Sequence, residues 1–323
     1  MSREQAMVSP LKTAGGLPRL GVVGVGAVGT TLAWGLAACG YPVVALSSRA
    51  STTASWLSAQ LPGCRAFSSP GDVAALADLV LLAVPDDAIA SVAAAIPWRP
   101  DQAVVHCSGA SPARVLAVAG AQGALYGSFH PLLSVSRARP AHAGEALARL
   151  TGCAFAIEAP EPLAARLAEM ASRLGGRTVY LREKDRVPYH LAAVLVSNYP
   201  VALVAAATDL WASFGVSREE ALVALLPLLR STVANLAHLG LPESLTGPIA
   251  RGDVGTVHAH LEYLERKQED APTNAALLRE IYRLLGVLSL PLAQAKGRLT
   301  EEQLRTLERL LDGDTESNQR GTA

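Results

Sequence analysis

The sequence predicts an α/β N-terminal domain built on a doubly wound, mostly parallel sheet, followed by an all-α C-terminal domain. Three observations predict it. Apolar runs of strand length alternate with helical stretches from Leu20 to Leu181, the pattern of repeated strand–helix–strand units. From Glu183 onward helix follows helix, with no further convincing strand. At the head of the first half, the apolar run Leu20 to Val23 leads directly into Gly24-x-Gly26-x-x-Gly29 and then into a small-residue helix, Ala27 to about Ala38.

That order of strand, glycine turn and helix is what a dinucleotide-binding turn requires. Gly24 permits the tight turn, Gly26 lets the backbone approach a pyrophosphate, and Gly29 lets the helix lie close on the strand. Ala27 and Val28 open the helix, whose free N–H groups attract an anion. The next strand, Pro42 to Leu46, ends in Ser47-Ser48-Arg49, and no acid stands from Tyr41 through Leu61. An NAD site usually places an Asp or Glu in that interval to hold the ribose 2′-hydroxyl. Hydroxyls and a guanidinium stand there instead, and Arg matches a phosphate with a fork of donors. The expected cofactor is therefore NADP (NADPH), with Ser48 and Arg49 at its 2′-phosphate. The plainer alternative is that these two residues merely start the next helix.

A third strand is expected at about Cys64 to Phe67. The continuous apolar run from Leu79 to Val84 fits a central parallel strand buried on both faces, stopped by Pro85. Asp86 and Asp87 are expected to cap the helix that follows. A fifth strand, Ala103 to His106, ends in Cys107-Ser108-Gly109-Ala110, and a sixth, about Ala124 to Phe129, ends in His130-Pro131-Leu132. Ligands of open α/β sheets bind outside the carboxyl ends of the strands. Val84, Pro85, His106, Ser108 and His130 fall on that rim, where a nicotinamide ring would also lie. A final strand–helix–strand, Ala154–Glu158, Glu161–Leu174 and Arg177–Leu181, completes the sheet. The domain boundary is placed after Arg182, and the charge run Arg182 to Arg186 reads as a solvated connection.

The first long helix of the second half is expected from Val187 to Leu210. It carries polar groups inside an apolar pattern: His190 and Ser197, seven apart on one face, with Asn198 beside them. They are expected to converge on a cleft between the domains, the alternative being helix–helix hydrogen bonding. Farther on, Leu245-Thr246-Gly247-Pro248-Ile249-Ala250-Arg251-Gly252-Asp253 breaks the helical pattern. Arg251 there is suited to clamp a carboxylate, and Asp253 to hold Arg251 or to cap the helix carrying His258 and His260.

With 323 residues, 50% apolar and 17% charged, the chain reads as folded protein, large enough for two domains. A formal net charge of zero argues against nucleic acid or an anionic membrane as the main partner. The four cysteines are scattered without metal-type spacing and read as reduced thiols of a cytoplasmic protein, and the seven histidines show no ligand spacing joined to carboxylates. The apolar stretch Leu191 to Ala207 is interrupted by Ser197, Asn198 and Pro200 and reads as a buried helix rather than a membrane span. Residues 1–17 read as a loose leader, with Met7 an alternative start, and residues 313–323 as a flexible tail.

Several segments taken together carry a resemblance. They are Val84-Pro85-Asp86, His106-Cys107-Ser108-Gly109-Ala110, Gly127-Ser128-Phe129-His130-Pro131-Leu132, Tyr189-His190-Leu191-Ala192-Ala193 with Ser197-Asn198-Tyr199, and the Leu245–Asp253 segment. From about Arg19 to Leu264 the chain resembles the bacterial family of Rossmann-like and DUF2520 domain-containing proteins. That family is similar to ketopantoate reductases, pyrroline-carboxylate reductases and 6-phosphogluconate-dehydrogenase-like enzymes. The resemblance implies an NAD(P)-binding Rossmann domain (18–182), a helical substrate and dimerisation domain (183–312), and an oxidoreductase acting at a cleft between them. One departure stands out. Several relatives place a Lys one turn before a catalytic Asn on the long helix. Here the residue four before Asn198 is Val194, and Lys12, Lys184, Lys267 and Lys296, the four lysines of the chain, all lie off that helix. His190 is therefore the expected proton donor, with Lys184 second.

The expected reaction is hydride transfer from NADPH to a carbonyl of a small, carboxylate-bearing substrate such as ketopantoate. His190 or His130 supplies the proton. Asn198 and Ser197 bond the reacting group, and Arg251, Thr246 and Ser108 hold the substrate. The alternatives are an imine reductase of the pyrroline-carboxylate type, a non-catalytic NAD(P)-binding regulator or structural dimer, and an enzyme using another hydride carrier such as a deazaflavin.

Overall fold

A computed structural model of the chain describes residues 16–135, 140–270 and 272–312. The expected tail at 313–323, the Met7 start and nearly all of the expected leader lie outside the described residues. The chain divides into two compact units at Tyr199/Pro200.

The first unit is built on one eight-stranded sheet. Its elements run β1 (Leu20–Val23), α1 (Ala27–Ala38), β2 (Val43–Ser47), α2 (Ser51–Ser58), β3 (Arg65–Phe67), α3 (Pro70–Leu76), β4 (Leu79–Leu82) and α4 (Ile89–Ala94). They continue with β5 (Ala103–His106), α5 (Ala117–Gly120), β6 (Leu125–Leu132), α6 (Ala143–Leu150), β7 (Ala154–Glu158), α7 (Leu163–Arg173), β8 (Arg177–Tyr180) and α8 (Arg186–Ser197). Strand order is β3-β2-β1-β4-β5-β6-β7-β8, and every neighbour pair is parallel except β6 with β7. The reversal of order between β2 and β4 about β1 is the switch point at which such sheets bind ligands.

Because side chains alternate across a strand, the central strands feed two cores. Leu79, Leu81 and Val105 pack on one side with Leu32 and Leu36 of α1, and with Leu167 and Met170 of α7. Val80, Leu82 and Val104 pack on the other with Val73, Ile89 and Leu116. This two-sided burial explains why the strands read as continuous apolar runs rather than alternating ones.

Strand β6 departs from expectation. It does not stop at Phe129 but runs through His130 and Pro131 to Leu132, because β7 returns antiparallel along it and pairs His130 with Ala156. The boundary also moves. Placed after Arg182 from the sequence, it falls at Tyr199/Pro200, since α8 belongs with the sheet. Its first residue, Arg186, expected in a solvated charge run, is 2% exposed.

The expected long helix from Val187 to Leu210 is two helices, α8 and α9 (Tyr199–Ala212), separated at Asn198. Pro200 supplies the reason, since it has no N–H to donate to the carbonyl four residues earlier and its ring crowds that turn. Then follow α10 (Arg218–Leu239), α11 (Gly247–Arg251), α12 (Val254–Asp270), α13 (Pro272–Ala295) and α14 (Glu301–Asp312). Ser217 caps α10 in a reciprocal box with Glu220. The second unit has its own small core of Val257, Leu261, Leu290, Leu307 and Leu311.

One expectation about these helices is overturned. Leu191 to Ala207 is not buried within the chain. By length and composition the helical stretches Glu183–Ala212 and Arg218–Leu239 are apolar enough to cross a membrane, and only 6% and 0% of their apolar windows are buried.

The inner face of the sheet yields a stability prediction. Phe129 and Phe155, both fully buried, stack with centroids 4.8 Å apart at 16° across the antiparallel seam. Phe129→Ala should cost about 3–5 kcal/mol in urea unfolding. A loss well under 1 kcal/mol would show that the seam is not packed as described.

Candidate active site

The glycine turn forms one half of the site. Gly24 has φ +95, and a Cβ there would lie 2.5 Å from the Ala83 carbonyl oxygen. A Cβ on Gly29 would lie 2.0 Å from the Gly24 carbonyl oxygen, so these two glycines are needed for α1 to start where it does. Gly26 differs, with open space where its side chain would be. It stands at the head of α1 with no side chain capping the helix, so the first N–H groups face that space.

A cavity of about 510 Å³ opens there, lined by Gly24, Gly26, Ala27, Val28, Ser47, Ser48, Arg49, Ser68, Val84 and Pro85 among others. Of the residues expected at a cofactor, Gly29 and Ser108 lie off the cavity wall. Gly29 serves the packing of the turn, and Ser108 belongs to the second half of the site. Arg49 is exposed and makes no ion pair among the described residues, and the buried Ser47 hydroxyl has no partner there.

The second half is assembled from β5, β6, β7 and the first turn of α8. Asp86, which follows Pro85 of the cavity wall, accepts a hydrogen bond from Ser108 Oγ at 2.7 Å. Expected as a helix cap, Asp86 makes no capping bond. Ser108 Oγ also accepts from the N–H groups of Ala110 and Ser111, at 3.2 and 2.9 Å, which fixes the turn after β5. His106 is fully buried and both its ring nitrogens are used, Nδ1 accepting from Ser108 N and Nε2 donating to the Pro112 carbonyl. Its role is structural.

His130 Nδ1 shares a 2.8 Å hydrogen bond with Tyr189 Oη, the two rings meeting edge to face at 87°. The other edge of His130 faces Gly109. A Cβ on Gly109 would lie 2.9 Å from His130 Nε2 and 3.1 Å from His190 Nδ1, so both imidazoles close on one point of backbone. His190 Nδ1 is buried without a partner among the described residues.

One turn of α8 makes this convergence, because residues three and four apart on a helix share a face. Tyr189 and His190 reach the strand ends while Arg186, one turn earlier, is buried beneath them. Its guanidinium donates to Glu158 Oε2 at 2.8 Å, to the Ser108 carbonyl at 3.1 Å and to Ser128 Oγ. Arg186, Tyr189, Glu158 and Asp86 are members of this cluster that sequence reasoning did not select. An available signal was the i, i+3, i+4 spacing of Arg186, Tyr189 and His190.

Electrostatics follow burial. Loss of water holds the His130 and His106 imidazoles down at about 4. His190 and Arg186 add to the effect at His130, and Arg186 at His106. Burial pushes the Tyr189 phenol up to about 12. At neutral pH both imidazoles are uncharged and the phenol keeps its proton.

The other expected residues are placed differently. Ser197 Oγ donates to the Ala193 carbonyl and lies 2.8 Å from Asn198 Oδ1, so the pair is bonded to its own helix. Lys184 is exposed in the turn before α8. Thr246 and Arg251 belong to the second unit, where both are exposed. Asp253 caps α12 through Thr256 N and Oγ1, so of its two expected roles it takes the capping one. Among the described residues no group of three or more His, Cys, Asp or Glu is arranged for a metal.

The two depressed imidazoles predict acid lability. An unfolded ring titrates near 6.5, so between that value and about 4 the unfolded chain binds more protons than the folded one. Stability should therefore be full above pH 6.5 and fall as pH drops toward 4, by about 1.4 kcal/mol per pH unit for each ring. Urea unfolding at stepped pH measures it. A flat stability through that window would mean the rings titrate normally.

Comparison with known proteins places this geometry. Residues 8–131 match a family model described as a Rossmann-like domain, and residues 153–288 match one described as a domain of unknown function, DUF2520. The first match ends within β6 and the second begins just before β7, so they flank the point where the sheet turns antiparallel. No curated protein sequence matches the chain. Among solved structures, a candidate NADP oxidoreductase from Bacteroides fragilis is 26% identical with a TM-score of 0.64, over 86% of this chain and 98% of that one. A Thermotoga maritima protein is also 26% identical at TM-score 0.64, over 86% of this chain and 100% of that one. A reductive aminase from Aspergillus terreus, solved with NADPH and ethyl-5-oxohexanoate, shares the fold at 17% identity and TM-score 0.54, over 95% and 96% of the two chains. With both domain matches carried on this fold, the chain is a Rossmann-like and DUF2520 domain-containing protein.

Proposed function

We propose that this protein is an NADP-dependent oxidoreductase that reduces the carbonyl, or the imine, of a small substrate. One observation carries the reading. The glycine-turn cavity and the imidazole cluster lie on the same strand-end rim, linked by Asp86, which adjoins Pro85 of the cavity wall and takes the Ser108 hydroxyl. The residues fit NADPH. The open space before Gly26 and the uncapped head of α1 suit a pyrophosphate. The unpartnered Ser47 hydroxyl, Ser48 and Arg49 suit a ribose carrying a 2′-phosphate. Bound there, NADPH supplies a hydride.

The chain supplies the proton and the polarity. His130 keeps a neutral imidazole hydrogen-bonded to Tyr189 and is assigned to hydrogen-bond the reacting oxygen or nitrogen, while His190, a second ring beside it, is assigned to give the proton. Asn198, with Ser197 behind it, is assigned to the reacting group. Arg251 and Thr246 are assigned to a substrate carboxylate, which makes ketopantoate the first carbonyl to test. Imine reduction is the second reading, supported by the fold shared with a reductive aminase.

Titration with NADPH and NADH, repeated on Arg49→Ala, tests the cofactor. NADPH affinity should fall about 10- to 100-fold in the variant with NADH little changed. An equal effect on both would overturn the 2′-phosphate assignment. A panel of oxo acids and cyclic imines then tests turnover, which His190→Ala should lower about 100-fold with NADPH binding intact. Cofactor binding without oxidation across the panel would favour a non-catalytic regulator.

The protein is further proposed to be a cytoplasmic homodimer joined through its helical half. Helix α10 is apolar on most sides, and a helix of that kind is stable when covered. Val223, Leu228 and Val233 of α10 stand 71%, 64% and 59% exposed on the single chain. Arg230, in the middle of α10, opposes a lipid environment. Light scattering should give a mass twice that of the 33.6-kDa chain, and Leu228→Glu should reduce it. A monomeric native protein, or recovery of the chain with membranes, would overturn this arrangement.

A further inference from the structure

We infer that Arg186 is the positioning residue of this site: through Glu158, Ser128 and the Ser108 carbonyl it registers α8 against the strand ends, so that Tyr189 meets His130 and His190 meets Gly109. The inference rests on the reductase reading for its consequence in catalysis, but its geometry stands apart from any substrate. At 2% exposure the guanidinium is not available to a ligand. Its bonds reach the turn after β5, the middle of β6 and the end of β7, while its own backbone opens α8. Glu158 is in turn bonded to the N–H of Ala113, so the carboxylate is held independently of Arg186. Among the described residues no other residue of α8 ties that helix to three parts of the sheet at once.

Arg186 also sets the charge around His130. The groups facing that ring are Tyr189, His190 and Arg186 from α8, Asp86 after β4 and His106 from β5, with Glu158 of β7 reached through Arg186. Arg186 and His190 oppose a proton on His130, and Asp86 favours one. Removing the guanidinium therefore withdraws a repulsion from His130 and leaves Glu158 without its counter-charge. A group that merely filled space would do neither.

The test follows His130 by the pH titration of its ring resonances in histidine-labelled protein, together with kcat/KM on whichever substrate the panel identifies. In Arg186→Met the His130 midpoint should rise by about one pH unit from its depressed position. If that variant fails to fold, Arg186→Met/Glu158→Gln supplies the same reading, since it leaves no buried charge unpaired. An unmoved His130 midpoint in the folded variant overturns the inference. Arg186→Lys keeps the cation but loses the fork, so the His130 midpoint should move less than in Arg186→Met while kcat/KM falls at least about 10-fold. Native kcat/KM in that variant also overturns it. Should the native protein reduce nothing in the panel, the reductase reading falls, and the His130 titration still decides the role of Arg186.

Discussion

A guanidinium buried beneath the end of a sheet costs several kcal/mol in lost hydration, and it persists only where its donors are matched. Arg186 meets that condition with a carboxylate, a backbone carbonyl and a hydroxyl, each from a different part of the sheet edge. The arrangement is directional because the guanidinium is planar, with its donors in a fixed fork. Once it is satisfied, the first turn of α8 has one register on the sheet. Tyr189 and His190 then arrive at the strand ends by helical periodicity alone, and the Ser108–Ser111 turn is held from both sides, by Arg186 at its carbonyl and by Asp86 at its hydroxyl. The close approach of two imidazoles to Gly109 follows from that register.

The site therefore has two electrostatic halves. Around Gly26 and Arg49 the chain presents positive character, the open head of a helix and an exposed guanidinium with no ion pair among the described residues, near solvent where an anion can enter. Around His130 the fixed cation Arg186 is already paired with Glu158, and burial keeps the His130 and His106 imidazoles uncharged. In the proposed function a phosphate-bearing ligand is assigned to the first half and a reacting carbon to the second. Asp86 and Pro85, adjacent in sequence at the end of β4, join them.

The apolar helices follow a different logic. In α8 the polar residues Arg186, Tyr189 and His190 face the sheet, while Val187, Leu191 and Leu195 are exposed. Pro200 breaks the run after Asn198, so α8 stays with the sheet and α9 departs into the helical unit. Surface of this extent is costly in water, which is why a second copy of the chain enters the proposed function.

Local chemistry made most of the architecture legible from sequence. A strand closed by a glycine turn and an apolar run closed by Pro85 are decided within a few residues, and these elements stand where the sequence predicted them. The wall of the glycine-turn cavity was legible for the same reason, since one turn and the neighbouring strand ends supply it. The extent of β6, the burial of Arg186, the bond from Ser108 to Asp86 and the pairing of His130 with Tyr189 were not legible. Each depends on groups 22 or more residues apart: the pairing of β4 with β5 brings Asp86 to Ser108, and the reversal of β7 along β6 with α8 docked there brings the others together. A charge run reads as solvated until a carboxylate 28 residues earlier is found beneath it. Sequence alone thus determined the scaffold and the glycine turn, because both arise from short-range conformational preference. Tertiary structure alone decided which polar residues face one another, because desolvation and pairing are properties of the packed interior.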